Sequence, residues 1–273
     1  MAQTTEWPAR LMLVGAGKMG GALAGGWLAA GLAASALTIL EPAPSEAIAA
    51  LAARGVALNP RASAPPEALV LAVKPQSLDF VAPALAPIAG PDALVLSILA
   101  GKTIANLRAR LPQARALVRA MPNTPAAIGR GVTAACASSE VDARQRRWSE
   151  RLLGAVGAFH WLADEELMDA VTAVSGSGPA YVFALTEALS DAAERLGLPP
   201  ALAMSLARGT VEGAGELLRR EPETSPATLR RNVTSPGGTT AAALAVLQGE
   251  GGLAELMARA TAAARDRARE MAG

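Results

Sequence analysis

The sequence is almost without cysteine, histidine and aromatic residues. Its single cysteine, Cys136, excludes an intramolecular disulfide and a cysteine-based zinc site, and no metal is expected. One unpaired cysteine fits a reducing compartment, so a cytoplasmic location is expected. The single histidine, His160, lies in the short apolar stretch AFHWL and is expected to be packed in a strand. Without it, the Ser-His-Asp and Cys-His mechanisms lack their base. Aromatics are only 3% of the 273 residues, so the core must come from alanine and aliphatic side chains. The net charge of +1 gives no hint of the basic footprint that nucleic-acid binding needs, and no nucleic-acid partner is expected.

Charge is also absent from residues 19–40, which end near ASA in the manner of a signal peptide or a membrane span. Gly20, Gly21, Gly25, Gly26 and Gly31 interrupt that stretch, which reads instead as a helix, a turn and a strand. No membrane association is expected.

What the chain does have is apolar material, 51% of its residues, arranged in two patterns. Up to about residue 163, short apolar runs read as buried strands: LMLVG (11–15), ALTIL (36–40), ALVLAV (68–73), ALVLSI (93–98) and ARALVRA (114–120). GVTAACA (131–137) and AFHWL (158–162) read as later strands flanking a helix. Helical segments lie between most of them. This alternation predicts an α/β domain, a doubly wound parallel sheet covered on both faces, over residues 1–163. From residue 164 to 273 the pattern is helix after helix, broken at SGSGP, GLPP, EPETSP, SPGG and GEGG.

The first strand runs into GAGKMG, which places Gly15, Gly17 and Gly20 in the spacing G-x-G-x-x-G before a helix. That context predicts a Rossmann-like dinucleotide site. Gly15 allows the tight turn, Gly17 admits the pyrophosphate to the backbone, and Gly20 lets helix and strand approach. The phosphates would then lie at the helix N-terminus, among residues Val14 to Gly20, including Ala16, Lys18 and Met19. Glu41 follows at the end of the second strand, where a carboxylate accepts hydrogen bonds from ribose hydroxyls and repels a 2′-phosphate. The cofactor is therefore NADPH or NADH, with Glu41 leaning toward NADH; the alternative for Glu41 is a helix cap. Three further strand ends should line the same crevice: LAVKPQ with Ala72, Val73, Lys74 and Pro75, SILAGK with Ala100 and Gly101, and MPNTPA with Asn123.

The segments GAGKMG, AVKPQ, MPNTPA, DAVTAVSGSGPAY and VTSPGGTT occur in the order and spacing of the pyrroline-5-carboxylate reductases, and the chain resembles that family over nearly its whole length. The resemblance implies hydride transfer from NAD(P)H to the C=N carbon of 1-pyrroline-5-carboxylate, giving L-proline in the last step of proline biosynthesis. It implies that the helical region is a dimerisation and substrate-binding domain, with the chain a homodimer, and it allows a ring of dimers. It assigns the substrate carboxylate to backbone N–H groups near Gly238, Thr239 and Thr240 with the Ser235 hydroxyl, which suits an anion nest. Thr240 would hydrogen-bond the ring nitrogen as the catalytic group. Glu223 and Glu165 would contact substrate, with Glu166 an alternative register for the latter. Asn232 and Asn59 would contact the cofactor.

Three other readings stand beside this one. A β-hydroxyacid dehydrogenase needs a lysine in its helical domain, and here the lysines are Lys18, Lys74 and Lys102, all in the first. A reductase of a six-membered cyclic imine acid differs only in ring size. A non-catalytic dinucleotide sensor would leave the donor-rich loop at 232–240 without a purpose.

Overall fold

The computed structural model describes residues 7–61 and 63–272. They form two compact units. One ends at Gly176 and takes in the residues from Ala264 onward; the other is Ser177–Ala263. Residues 164–176, read from the sequence as the opening of the helical region, thus cluster with the first unit.

The first unit opens with β1 (Leu11–Val14), α1 (Lys18–Ala29), β2 (Leu37–Leu40), α2 (Glu46–Ala52) and the two-residue β3 (Ala57–Leu58). It continues through β4 (Ala68–Leu71), α3 (Leu78–Leu85), β5 (Leu94–Ser97), α4 (Ile104–Arg110) and β6 (Ala116–Met121). After these come β7 (Gly131–Ala137), α5 (Ala143–Gly154), β8 (Gly157–Trp161) and the short α6 (Met168–Val171), which runs into a π-turn at Thr172–Gly176. The strands make one sheet in the order β3-β2-β1-β4-β5-β6-β7-β8. The chain reverses direction across the sheet between β1 and β4, and such a switch point opens a crevice at the carboxyl ends of the strands.

Strand alternation builds two cores. Leu11, Leu13, Val70, Leu94, Leu96 and Val118 face one side, where Leu23 and Trp27 of α1 and Trp148, Leu152 and Leu153 of α5 cover them. Met12, Val14, Leu69, Leu71, Val95 and Leu117 face the other, under Leu78, Ala82 and Leu85 of α3 and Leu107 of α4. This is the period of two expected of strands buried on both faces. Trp27, fully buried, donates its Nε1–H to the Leu152 carbonyl at 2.7 Å, so its one polar atom is satisfied.

Two strand features differ from the sequence reading. β3 is too short to carry a hydrophobic period. And β7 pairs antiparallel with β6, Val118 opposite Ala137 and Met121 opposite Ala134. The connection from 122 to 130 is shorter than the roughly dozen residues a parallel crossover needs, so the chain can only turn back. His160 also differs: on β8, whose residues alternate in exposure, it is exposed rather than packed.

The second unit holds α7 (Gly178–Arg195), α8 (Pro200–Arg220), α9 (Pro226–Asn232), α10 (Thr239–Leu247) and the first part of α11 (Leu253–Ala272). Every break falls at a proline- or glycine-rich segment. Pro179 and Pro200 occupy first-turn positions, where the missing N–H costs nothing. α7 packs on α8, and the small residues Ser190 of α7 and Ala203 and Ala207 of α8 are buried. Among the described residues no helix is long and apolar enough to cross a membrane.

Candidate functional site

At the carboxyl edge of the sheet, Leu40, Val14, Leu71, Ser97 and Arg119 stand in one row of the strand register. The loops that follow them carry the candidate residues. Gly15 turns the chain out of β1 at φ +90°, and its N–H donates to the Leu40 carbonyl at 2.8 Å. A methyl group there would lie 2.8 Å from the Ala72–Val73 backbone, so glycine is required both by conformation and by the close approach of β4. A methyl group on Gly20 would run into the Gly15 carbonyl oxygen. Gly17 differs from both: it is exposed, and nothing lies within 4 Å of where its side chain would be. Gly17 is also the N-cap of α1, and no side chain caps that helix or places a negative charge in its first turn. The leading amides, from Lys18, Met19 and Gly20, are thus left to an external acceptor, and the helix dipole favours an anion.

Next to this turn lies a cleft of about 770 Å³, lined by Val14, Gly15, Gly17, Glu41, Asn59, Ala72, Val73 and Lys74 among others. Pro75 opens the 3₁₀ turn that leads from Lys74 into α3. Glu41 is held at the cleft wall. Its Oε2 accepts from the Ala16 N–H at 2.8 Å and its Oε1 from the Ala43 N–H at 3.0 Å. A carboxylate has about four acceptor positions, so two remain after those bonds. Asn59, at φ +46°, fixes the Glu41 backbone reciprocally: its Oδ1 accepts from the Glu41 N–H at 2.9 Å and its Nδ2 donates to the Glu41 carbonyl at 2.8 Å. Asparagine tolerates this left-handed conformation better than most residues.

Ala100 and Gly101 lie in the loop between β5 and α4, outside the lining of that cleft. A methyl group on Gly101 would meet the Met271 backbone at the end of α11 at 3.1 Å. Asn123 is buried, and its amide is engaged within the protein: Nδ2 donates to the Ser175 carbonyl at 3.2 Å and Oδ1 accepts from the Val132 N–H at 2.8 Å. Glu165 is also committed. Its Oε1 accepts from Nη1 of Arg119 and from the Ile104 N–H, both at 2.9 Å. Arg119 is almost fully buried and has Asp169 as a second carboxylate at 3.8 Å, so Glu165 neutralises a buried cation and closes the N-terminus of α4. The sequence held no signal for this pair, because the partners lie on separate elements. Neighbouring Glu166 is exposed.

The remaining candidates belong to the second unit. Glu223 is exposed in the connection between α8 and α9, and Asn232 is the last residue of α9. In the loop that follows, Gly237 adopts φ +68° and the Gly238 N–H donates to the Ser235 carbonyl at 3.0 Å. That amide, expected to grip the substrate, instead closes the turn. Gly238 is the N-cap of α10 and offers no side-chain cap, so Thr239 and Thr240 stand in the first turn of a helix whose leading N–H groups lack intrahelical partners. The loop is a helix N-terminus with two hydroxyls beside it.

A strand-turn-helix cradle open only at Gly17, a carboxylate beside it and a cleft at the switch point define a dinucleotide-dependent oxidoreductase of Rossmann architecture, followed by a helical region. Comparison with known proteins narrows this. Residues 10–101 match the family model "NADP oxidoreductase coenzyme F420-dependent", and residues 165–271 match "Pyrroline-5-carboxylate reductase dimerisation". The chain is 43% identical to the pyrroline-5-carboxylate reductase of Pseudomonas aeruginosa over 96% of its own length and 97% of that protein's. It is 37% identical to the Mycobacterium tuberculosis enzyme of the same name, again over 96% and 97%. Among solved structures, a pyrroline-5-carboxylate reductase from Coxiella burnetii superimposes with a TM-score of 0.89 at 35% identity, covering 97% of this chain and 99% of that one. A Plasmodium falciparum pyrroline carboxylate reductase with NADP bound gives 0.80 at 28%, covering 97% and 98%. The chain belongs to the pyrroline-5-carboxylate reductase family and is an NAD(P)H-dependent oxidoreductase.

Proposed function

We propose that this chain reduces 1-pyrroline-5-carboxylate to L-proline, with NAD(P)H as donor. The observation that carries the dinucleotide half of the reading is the contrast among the three glycines: Gly15 and Gly20 are filled by protein, and the space at Gly17 is not. When bound, the reduced dinucleotide supplies the hydride that reaches the C=N carbon. Its pyrophosphate is assigned to the α1 N-terminus, and its ribose hydroxyls to Glu41. The Glu41 carboxylate would repel a 2′-phosphate, so NADH is the favoured donor. The substrate carboxylate is assigned to the α10 N-terminus, through the Thr239 and Thr240 amides and the Ser235 hydroxyl. A protonated imine is already electrophilic, and the protein's part is to place it and steady its nitrogen. Thr240 is assigned that nitrogen, with Glu223 near it and Asn232 reaching the cofactor. The enzyme works as a homodimer through its helical region.

The Thr240 assignment has a direct test. Thr240→Ala removes one hydrogen bond in the transition state, worth about 1.5–3 kcal/mol, and lowers kcat/KM for pyrroline-5-carboxylate roughly ten- to a hundredfold. Thr240→Ser restores most of it, and Thr239→Ala is milder because only its backbone is used. Wild-type kcat/KM in Thr240→Ala, or a larger loss in Thr239→Ala, rejects the role. Running the assay with a six-membered cyclic imine acid in parallel decides ring-size preference.

A further inference from the structure

The cleft does not end at Glu41. The lining also takes in Pro42 and one face of α3 with its lead-in, where Ser77, Phe80, Val81 and Ala84 recur at helical spacing. The core-facing stripe of the same helix is Leu78, Ala82 and Leu85. Phe80 lies off that stripe and is 87% exposed, the largest exposure of any bulky apolar side chain described. An aromatic ring on the lip of a cleft, turned away from its own core, leaves apolar faces in water that a flat ligand would cover.

We propose that Phe80 is a stacking platform for the adenine base of the dinucleotide. The proposal rests on the dinucleotide reading of the cleft. With the pyrophosphate at the α1 N-terminus and the adenosine ribose at Glu41, the base must continue along the cleft away from the glycine turn, toward Pro42 and α3. The volume of about 770 Å³ accommodates a nucleoside beside the phosphates. A purine has two apolar faces and a polar rim, and the cleft lining contributed by Pro42 and α3 with its lead-in is apolar except for Ser77. Stacking of this kind favours the adenine nucleotide without distinguishing NADH from NADPH, because discrimination rests on the group at the 2′ position beside Glu41.

Titration calorimetry of the protein with ADP-ribose, which carries the adenosine and both phosphates but no nicotinamide, tests this. Phe80→Ala is expected to weaken ADP-ribose about tenfold, the usual effect of removing a base-stacking aromatic. Phe80→Tyr, which keeps the ring, is expected to bind within about twofold of wild type, and both variants should melt at the wild-type temperature because the ring is outside the core. In the steady state, Phe80→Ala raises KM for NADH and leaves kcat unchanged. Unchanged ADP-ribose affinity in Phe80→Ala, or a Phe80→Tyr variant as weak as Phe80→Ala, overturns the platform while leaving the dinucleotide site in place. A wild-type protein that binds neither ADP-ribose nor NADH overturns the reading beneath it.

Discussion

Two side chains show how environment assigns a residue its chemistry. Cys136 sits in β7, and burial pushes its thiol up to about 11, with the Glu165 charge adding to the shift. At pH 7.5 the reactive thiolate is then on the order of one part in a thousand or less. Iodoacetamide at that pH is expected to leave the mass of the native protein unchanged while it fully alkylates a denatured sample; an adduct on the folded chain would contradict this. Glu41 is the opposite case, a carboxylate held at the cleft wall by the Ala16 and Ala43 amides. Under the proposed assignment, replacing it by serine removes the charge that would oppose a 2′-phosphate and the acceptor assigned to the ribose. Each hydrogen bond lost to a charged group costs about 1.5–3 kcal/mol. Glu41→Ser should therefore lower kcat/KM with NADH and raise it with NADPH. A wild-type preference of about a hundredfold for NADPH would place that carboxylate in some other role.

The element of most consequence is the strand-turn-helix unit from Leu11 to Ala29. Its three motif glycines are needed for different reasons, and alanine substitution should separate them. Gly15→Ala meets the Ala72–Val73 backbone just after β4 in a left-handed conformation, and Gly20→Ala meets the Gly15 carbonyl, so both are expected to destabilise the fold by at least 1–3 kcal/mol. Gly17→Ala points its methyl group into open space and should leave the melting temperature alone while weakening NADH binding in calorimetry. Equal loss of stability in all three variants would show that Gly17 is structural too. A similar division runs through the strand ends. Asn123 and Glu165 carry polar groups that suit a ligand, yet one ties its loop to Ser175 and Val132, and the other neutralises buried Arg119.

At the scale of the molecule, the helical unit leaves large apolar side chains uncovered. Phe183 is 64% exposed, with Leu185 of α7 and Leu206 of α8 at half exposure or more. Scattered exposed leucines are ordinary, but a concentration of them on two long, packed helices is what the proposed dimer would cover. Obligate homodimers commonly bury ~2,000 Å² or more, and this surface offers the material. Sedimentation at micromolar concentration is expected to show a dimer, and Phe183→Glu to shift it toward monomer with loss of activity. A wild-type monomer that turns over substrate would refute the dimer.

The sequence by itself determined the alternation of strand and helix, the glycine turn before α1 and the breaks between the later helices. These follow from local physics: buried strands read as apolar runs, and proline and glycine interrupt helices wherever they occur. It also carried the family, through motifs that stay contiguous in the chain. Only the tertiary structure decided which candidates are occupied by other protein groups. Arg119 and Glu165 are 46 residues apart, one within β6 and the other on the segment that follows β8, and only folding brings them into contact. The Gly238 amide is taken by the Ser235 carbonyl, which depends on how tightly the loop turns. Phe80 reads in the sequence as one more apolar residue, and its exposure emerges only when Leu78, Ala82 and Leu85 claim the core face of α3. The direction of β7 was likewise set by chain length, because a connection too short to cross the sheet must turn back. Contacts between distant residues have no periodicity to read, so they become visible only when packing brings the partners together.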